Sequence, residues 1–333
     1  MGNGTTPLTA ANYDDFAKSL TDYISHIKTV AGIEIEYVSI NEPELWANNS
    51  IPPAGYNKII EESIPLFSQA GLNTKWLIGN NATINLLNPG TSYNSYTYMK
   101  AQLEDANFEN IRSSVQAMSY NSWDHINISS SRREGYYRRL KTLANTYSFE
   151  LWCIEANFTA TIPNNNDEPN GYIRSWDRAF QIIDVYHSIL KYSEAEAVVY
   201  WQYQNDLRLV DTAGNIEFHA YRVLKQMLDN FTPGVQFIEA ECSDSMIDIL
   251  AAKKNNEISI QLLNKKGSVL DLSGNTGYKT DYISISGVPN GNYRVTYCAK
   301  GENSIVNDGI ITAINGVLNV RTRPDTITSI KSE

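Results

Sequence analysis

The feature that most constrains the fold is a regular alternation of apolar strands and amphipathic helices over residues 12–231. Apolar side chains at helical spacing predict helices at about 12–29, 54–70, 94–104, 130–146, 173–192 and 217–231. Short apolar runs between them predict strands at 33–41, 75–79, 115–120, 149–155 and 197–203. Because alternating strands and helices form βαβ units, the pattern predicts an α/β fold with a parallel sheet, and the repeated units predict part of a (β/α)8 TIM barrel.

The pattern changes at Pro233-Gly234, after which short strands are separated by turn residues. The predicted strands are 235–240, 246–251, 257–263, 269–272, 282–286, 293–298, 317–321 and 326–330. Short strands in succession, with no helix between them, predict an all-β region folded as an antiparallel β-sandwich. The sequence therefore predicts a barrel domain at 1–234 and a β-sandwich domain at 235–333.

The predicted barrel is short of strands. A complete barrel has eight strands, and before residue 33 there is room for one helix only. Either the chain starts partway round the barrel, so that the N-terminal strands are missing, or the sheet is open. We expect an N-terminally truncated barrel.

Two of the predicted strands end in a glutamate. Strand 33–41 runs into Glu42 and Pro43, and a proline cannot donate to a strand ladder. Strand 149–155 ends at Glu155. Because the carboxyl ends of barrel strands form the active-site face, we expect the two carboxylates to face each other. Each has a plainer interpretation when taken singly, since Asn-Glu-Pro also ends strands and Glu155 could belong to an ion pair at the rim.

Paired carboxylates across a cleft can break a glycosidic bond. One protonates the leaving oxygen, and the other attacks the anomeric carbon or activates water. Asn41, beside the first glutamate, can donate to a sugar 2-hydroxyl. Trp46, Trp123 and Trp201 are candidates for stacking on a sugar ring, and Trp201 is the strongest because it lies near the end of a predicted strand.

Charge and composition limit the partners. The net charge of −10 argues against nucleic acid, which requires basic patches, and fits a neutral or cationic small ligand. No apolar run is long enough to span a membrane, and Met1–Pro7 has neither the basic end nor the apolar core of a signal peptide. Cys242 and Cys298 lie in the same region and could pair.

No metal or other cofactor is expected. The histidines are scattered and show no metal-ligand spacing: His26, His125, His187 and His219. His187 lies on an apolar helix stripe, so it is expected to be a core residue. No Gly-x-Ser-x-Gly nucleophile motif is present either.

The strand-end motifs resemble a known superfamily. Ile40-Asn41-Glu42-Pro43, Trp152-x-x-Glu155 and Tyr200-Trp201-Gln202 look like the ends of strands four, seven and eight in retaining glycoside hydrolases with TIM barrels, clan A. From about residue 7 onward, the chain most resembles glycoside hydrolase family 30, which joins such a barrel to a β-sandwich. Residues 219–234 are similar to the connection between those two domains, and residues 151–158 are similar to the nucleophile region of the galactocerebrosidase-like family.

The resemblance implies a retaining β-glycoside hydrolase, secreted, periplasmic or on the cell surface. Its expected substrate is a β-linked glucosyl, galactosyl or xylosyl glycan, cleaved by double displacement. Glu42 matches the acid/base, Glu155 the nucleophile, Asn41 the residue that contacts the 2-hydroxyl, and Trp201 the aromatic floor of the sugar subsite.

The sequence departs from the family on strand six. Family members often have a histidine and an aromatic residue there, whereas this chain has Asn121 and Trp123, so Tyr120 and Trp123 are kept as candidate substrate contacts. The arginine that the family places near the nucleophile falls among the missing strands. A non-catalytic carbohydrate-binding or scaffold protein is therefore the alternative. The missing strands favour it, and the two retained glutamates oppose it.

Overall fold

The computed structural model describes residues 8–44, 50–85, 92–158, 171–203, 207–211, 213–214, 216–275 and 277–333. The helices are α1 (Tyr13–Ala31), α2 (Pro53–Gln69), α3 (Ser95–Leu103), α4 (Phe108–Ile111), α5 (Ser130–Tyr147), α6 (Trp176–Ser188) and α7 (His219–Asn230). Over these ranges, no helix is long and apolar enough to cross a bilayer. The chain divides into two compact units, Met1–Thr159 with Tyr192–Tyr200, and Ala160–Lys191 with Trp201–Glu333.

The first unit contains a parallel sheet. Its strands are β1 (Tyr37–Val38), β2 (Lys75–Asn81), β3 (Val115–Asn121), β4 (Glu150–Ala156) and β5 (Ala197–Tyr200), and they lie side by side in chain order. All neighbouring pairs are parallel, which confirms the predicted βα alternation. This five-stranded sheet, with helices α1 to α5 in the same unit, fits a partial TIM barrel.

The strand predicted at 33–41 is wrong in its length and burial. Only Tyr37–Val38 pairs regularly with β2, and Ile33 is 57% exposed. Because β1 is the edge strand of the described sheet, it has a ladder partner on one side only. The apolar residues of this run therefore do not form a buried central strand.

Buried aromatic residues of α2 and β2 anchor the chain after β1. Trp76 on β2 is fully buried, and its indole Nε1 donates to Ser63 Oγ on α2 at 2.9 Å. The hydroxyl of Tyr56, also on α2, makes two hydrogen bonds. It accepts one from the Ile40 N–H at 2.7 Å and donates one to the Leu77 carbonyl at 2.9 Å. This hydroxyl ties the segment after β1 to β2, so the segment has a defined place without regular pairing.

A glycine lets β2 approach β3 closely near its carboxyl end. Gly79 has φ +87°, and a Cβ there would lie 2.4 Å from the Ser119 carbonyl oxygen. The register with β3 shifts between Gly79 and Asn81, and Asn80 takes a left-handed φ of 56°. Such an irregularity redirects side chains at the end of a strand.

The second unit contains two antiparallel sheets. Their strands are β6 (Gln236–Ile238), β7 (Ile247–Lys254), β8 (Glu257–Asn264), β9 (Asp281–Ser286), β10 (Gly291–Ala299), β11 (Val306–Ala313), β12 (Val317–Thr322) and β13 (Thr326–Ser332). Six strands form the order β11-β10-β13-β8-β7-β6, and β12 pairs with β9. A shared core joins the two sheets and includes Leu262, Val295, Leu318 and Ile330, which fits the predicted β-sandwich.

Two strand predictions in this region are wrong. Residues 269–272 form turns, closed by a bond from the Asp271 N–H to the Ser268 carbonyl, and Leu272 is 95% exposed. Residues 306–313, which were not predicted as a strand, form β11. Their Asp308-Gly309 pair marks a register shift in the ladder rather than a hairpin turn, and Gly309 has φ +99°.

Helices α6 and α7 belong to the second unit because they are bonded to its sheet. Asn230 on α7 donates to the Ile260 carbonyl at 3.0 Å. His187 on α6 is fully buried, as predicted, with ring nitrogens 3.1 Å from Asp248 Oδ2 and 3.0 Å from Gln261 Oε1. The limits of the compact units therefore do not coincide with the boundary near residue 234, which remains a prediction. All the cysteines, including Cys242 and Cys298, are free thiols.

Candidate active site

Glu42 follows β1 at the carboxyl edge of the parallel sheet. Its backbone has a left-handed φ of 45°, an uncommon conformation for a residue with a side chain. The Glu42 N–H donates to the Asn80 carbonyl at 3.0 Å. The carbonyl of Pro43, the residue after Glu42, accepts the Ile51 N–H at 2.9 Å. Backbone bonds on both sides therefore hold an unusual conformation that presents this side chain.

Glu155 lies on β4, at the same edge of the sheet. It is 7% exposed, and its Oε2 accepts the indole Nε1–H of Trp123 at 2.9 Å. Its carbonyl accepts the Ser122 N–H at 3.2 Å. In the β3–β4 ladder Asn121 stands opposite Glu155 after a register shift. The end of β3 and the loop that follows it thus provide the surroundings of this carboxylate.

The two glutamates influence each other. Burial raises the pKa of Glu42 to about 7, helped by the negative charges of Glu155 and then of Glu44, while the Asn121 amide lowers it. Burial also raises the pKa of Glu155, and the Trp123 N–H opposes that rise. The charge on Glu155 favours a proton on Glu42, since two like charges that act on each other are costly to ionise together. With a pKa of about 7, Glu42 can both give and take a proton near neutral pH.

Buried amide side chains at the ends of β2 and β3 have polar atoms without a hydrogen-bond partner of good geometry. Asn121 is fully buried, and neither its side-chain oxygen nor its nitrogen makes a hydrogen bond of good geometry. The side-chain oxygens of Asn80 and Asn81, at the end of β2, are also buried without a partner. Buried polar groups are normally satisfied, so these unpartnered atoms make the amides candidates for contacting a ligand.

Sequence reasoning missed Glu44 and the two amides of β2 as site residues. Glu44 is 1% exposed and accepts hydrogen bonds from the Asn81 side chain and the Ala82 N–H, both at 2.7 Å. The available signal was the Asn80-Asn81 pair at the end of a strand, in the same position as the glutamates at the ends of two other strands of the sheet.

The remaining predicted residues fall in different places. Asn41 is exposed next to Glu42. Trp201 is 40% exposed and opens the second compact unit directly after β5, with a cis peptide bond to Gln202. Trp46 lies outside the described residues. Trp123 contacts Glu155 through its indole N–H, a contact not expected from its predicted role in sugar stacking.

Tyr120 does not fit its predicted role as a substrate contact. It is fully buried, its hydroxyl is 2.6 Å from Ser193 Oγ, and its ring packs edge-on against Tyr137 of α5. Its side chain faces the helices, whereas that of the next residue, Asn121, faces Glu42. Neighbouring side chains on a strand point to opposite faces, so Tyr120 belongs to the core behind the site.

The segments that follow β1 to β4 contain no lysine or arginine. Ranges 29–57, 76–99, 113–131 and 142–173 contain the segments that follow β1 to β4, and none includes a lysine or arginine. The carboxylates Glu42, Glu44 and Glu155 therefore have no lysine or arginine in their own segments. Among the residues whose placement is described, no group of three or more His, Cys, Asp or Glu is arranged to hold a metal ion.

Solved structures of glycoside hydrolases share this fold. One is the glycoside hydrolase family 30 subfamily 8 xylanase from Clostridium acetobutylicum, with a TM-score of 0.72 and 15% sequence identity. The alignment covers 98% of this chain and 73% of the xylanase. The family 30 endoxylanase from Clostridium papyrosolvens C71 aligns with 98% of this chain over 72% of the endoxylanase, with a TM-score of 0.70 and 13% sequence identity. A conserved exported protein from Bacteroides fragilis also shares the fold. It aligns with 97% of this chain over 70% of the exported protein, with a TM-score of 0.70 and 14% sequence identity.

These likenesses are structural. No protein-family model and no curated protein sequence matches the chain. The resemblance inferred from the strand-end motifs is confirmed by the fold, since family 30 structures align with almost the whole chain. This protein therefore has the fold of clan A glycoside hydrolases, most like that of family 30.

Proposed function

We propose that the chain is a retaining β-glycoside hydrolase that uses Glu42 as the acid/base and Glu155 as the nucleophile. The observation that carries the proposal is that Glu42 and Glu155 follow two strands of one parallel sheet, at the same edge, and that the charge of Glu155 acts on Glu42. Burial raises the pKa of Glu42 to about 7, and the charge on Glu155 adds to that rise. A protonated acid beside an ionised carboxylate is what glycoside cleavage requires. The shared fold of the xylanases supports the same conclusion.

The proposed reaction has two displacements. Glu155 attacks the anomeric carbon while Glu42 gives its proton to the glycosidic oxygen, so the leaving group departs as an alcohol and a glycosyl ester forms on Glu155. In the second step Glu42, now ionised, takes a proton from water as that water attacks the same carbon. The ester bond breaks, Glu155 regains its charge and Glu42 its proton. Two inversions leave the sugar with its original β configuration.

The residues around the pair have proposed roles in binding. Asn41 and the unpaired Asn121 amide are suited to sugar hydroxyls, because an amide both donates and accepts. Trp201 remains a proposed stacking platform, and Trp123 is proposed to orient Glu155. Because lysine and arginine are absent from the segments that follow β1 to β4, we propose an uncharged glucosyl, galactosyl or xylosyl glycan as substrate.

A substrate panel tests the proposal. We expect the chain to release reducing sugars from at least one unsubstituted β-glucan, β-galactan or β-xylan. Cleavage of the carboxymethylated form of that glycan should be at least about 10-fold slower, because added carboxylates meet like charges at the site. Proton NMR of the first product should show the β anomer. Binding to these glycans without any hydrolysis would favour the non-catalytic binding protein, and a first product of α configuration would refute retention.

Removing the indole donor to Glu155 tests the second proposed role of Trp123. Trp123→Phe keeps an aromatic ring for packing but loses the hydrogen bond to the carboxylate. Bonds to charged groups contribute about 1.5–3 kcal/mol, so kcat should fall roughly 10- to 100-fold.

The matched control for this variant is Trp152→Phe. It removes an indole bond of the same length to Glu150 at the start of β4, away from the carboxyl edge. Its kcat should stay within about 3-fold of wild type. Equal losses in the two variants would show that Trp123 acts only through packing.

We also propose that the protein acts outside the cytoplasm. Its structural neighbour from Bacteroides fragilis is described as an exported protein. Polymeric glycans are too large to enter a cell intact, so their hydrolysis is expected at the surface or beyond it.

A further inference from the structure

Glu44 is a buried carboxylate to which the proposed reaction gives no role. It lies two residues after Glu42 and is 1% exposed. Its Oε2 accepts from Asn81 Nδ2 and its Oε1 from the Ala82 N–H, each at 2.7 Å. With both oxygens accepting short bonds from N–H donors, the geometry matches an ionised carboxylate, because a protonated carboxyl would turn its own hydrogen toward one of them.

These bonds complete the attachment of the Glu42 segment to β2. Regular pairing of β1 stops at Val38. Beyond it, Asn80 Nδ2 donates to Ser39 Oγ at 2.9 Å, and the Glu42 N–H donates to the Asn80 carbonyl. Glu44 adds the last two bonds, beyond Glu42. The acid/base candidate is therefore held on both sides by contacts to the end of one strand.

Glu44 also acts on Glu42 by charge. The groups that act on Glu42 are Glu155 from β4, Asn121 from β3 and Glu44 from its own segment. Burial is the largest cause of the raised pKa of Glu42, the two negative charges add to it and the amide lowers it. Burial also raises the pKa of Glu44, and hydrogen bonds from its own N–H, the Ala82 N–H and the Asn81 side chain oppose that rise. Burial raises the pKa of Tyr98 on α3 as well, and the charge of Glu44 is a smaller contribution. The groups that lower the pKa of Glu44 are hydrogen-bond donors rather than cations.

We propose that Glu44 is a positioning residue for Glu42: its ionised carboxylate clamps the acid/base segment to β2 and keeps a proton on Glu42. The inference rests on the proposed function, in which Glu42 must be an acid at neutral pH. It extends that function by naming the group that holds the donor in place and in its protonated form. It also explains why a carboxylate is kept in a buried position, where an ion is costly.

Glu44→Gln separates the effect of the Glu44 charge from the effect of its hydrogen bonds to Asn81 and Ala82. Glu44→Gln is nearly isosteric and removes the charge. Its new amide can accept the Ala82 N–H and donate to Asn81 Oδ1 once the Asn81 amide turns over, because that oxygen has no partner now. The control is Glu61→Gln, which removes the same charge from a half-exposed residue of α2 that is paired with Lys58.

The first test requires no substrate. Glutamate carboxyl resonances of the whole chain, labelled with carbon-13 and assigned with Glu42→Gln and Glu44→Gln, are followed by NMR as pH changes. In Glu44→Gln the midpoint for Glu42 should move to lower pH by roughly 0.5 to 1 pH unit. In Glu61→Gln it should not move. An unmoved Glu42 midpoint in Glu44→Gln overturns the proposal.

Two further readings keep the test decisive. In the wild type, Glu44 should ionise at lower pH than Glu42; a Glu44 that ionises after Glu42 overturns the proposal even if Glu44→Gln does not fold. On a cleaved glycan, the fall of kcat/KM at high pH should shift to lower pH in Glu44→Gln by the same amount as the NMR midpoint. If the wild type cleaves no glycan, the proposed function fails, while the NMR titration still decides the role of Glu44.

Discussion

Replacing Glu155 with alanine is expected to reduce glycan hydrolysis by about 10³-fold or more, because the variant lacks the group that attacks the anomeric carbon. The same variant should regain part of its activity with azide on a substrate that has a good leaving group. Azide fits the space left by the carboxylate and attacks from the same side, so the product should be an α-glycosyl azide. Rates come from reducing-sugar assays and the product configuration from NMR.

Glu150→Ala is the matched control for this variant. Glu150 also lies on β4, but at its opposite end, where it accepts a bond from Trp152. Its removal should leave hydrolysis within about 3-fold of wild type. A Glu155→Ala protein that stays folded and retains more than about a tenth of the activity would exclude Glu155 as the nucleophile.

Replacing Glu42 with alanine should produce the second largest effect, and that effect should depend on the leaving group. A sugar or alkyl leaving group needs a proton, so its cleavage should fall by about 10²- to 10⁴-fold. A dinitrophenyl leaving group needs none, so formation of the glycosyl ester should change little. Azide should now attack that ester from the face that Glu42 served, which yields a β-glycosyl azide.

The pH dependence follows from the same group. Burial and the charge of Glu155 raise the pKa of Glu42 to about 7, so Glu42 carries its proton below that pH and loses it above. Wild-type kcat/KM should therefore fall as pH rises through about 7, and this fall should vanish in Glu42→Ala. The control is Glu36→Gln, which changes an exposed glutamate just before β1. Its kcat/KM should still fall as pH rises through about 7. A descending limb that persists in Glu42→Ala would assign the proton donor to another residue.

The two azide products distinguish the roles of the glutamates. If both variants gave products of the same configuration, one assignment would be wrong. Opposite configurations require that the two carboxyl groups act on opposite faces of the sugar, as a double displacement demands.

Much of the fold could be predicted from the sequence because its elements repeat a simple pattern. Helices such as α1 and α5 have apolar residues at helical spacing, and strands such as β3 and β4 are apolar runs of ordinary length. The predicted strand at 33–41 failed because an apolar run does not reveal how many neighbours a strand will have. The strand β11 was not predicted, and it contains Asp-Gly, a pair typical of turns that here forms a bulge in the ladder.

The candidate site was predictable in part for the same reason. Glu42 and Glu155 each follow a strand, and in a parallel sheet all such ends lie at one edge. Which face a neighbouring residue uses could not be read from the sequence. Tyr120 and Asn121 are adjacent, yet one packs on α5 and the other turns to Glu42, next to a register shift in the ladder.

The amino-acid sequence by itself determined the βα order, the change to an antiparallel region and the two strand-end carboxylates, because these depend on local periodicity and on residue type. Only the tertiary structure decided that Trp123 donates to Glu155, that Asn81 and Ala82 donate to Glu44, and that Asn121 acts on Glu42. Those contacts join residues far apart in the sequence. Their formation depends on strand register and local bulges, which no local pattern in the chain encodes.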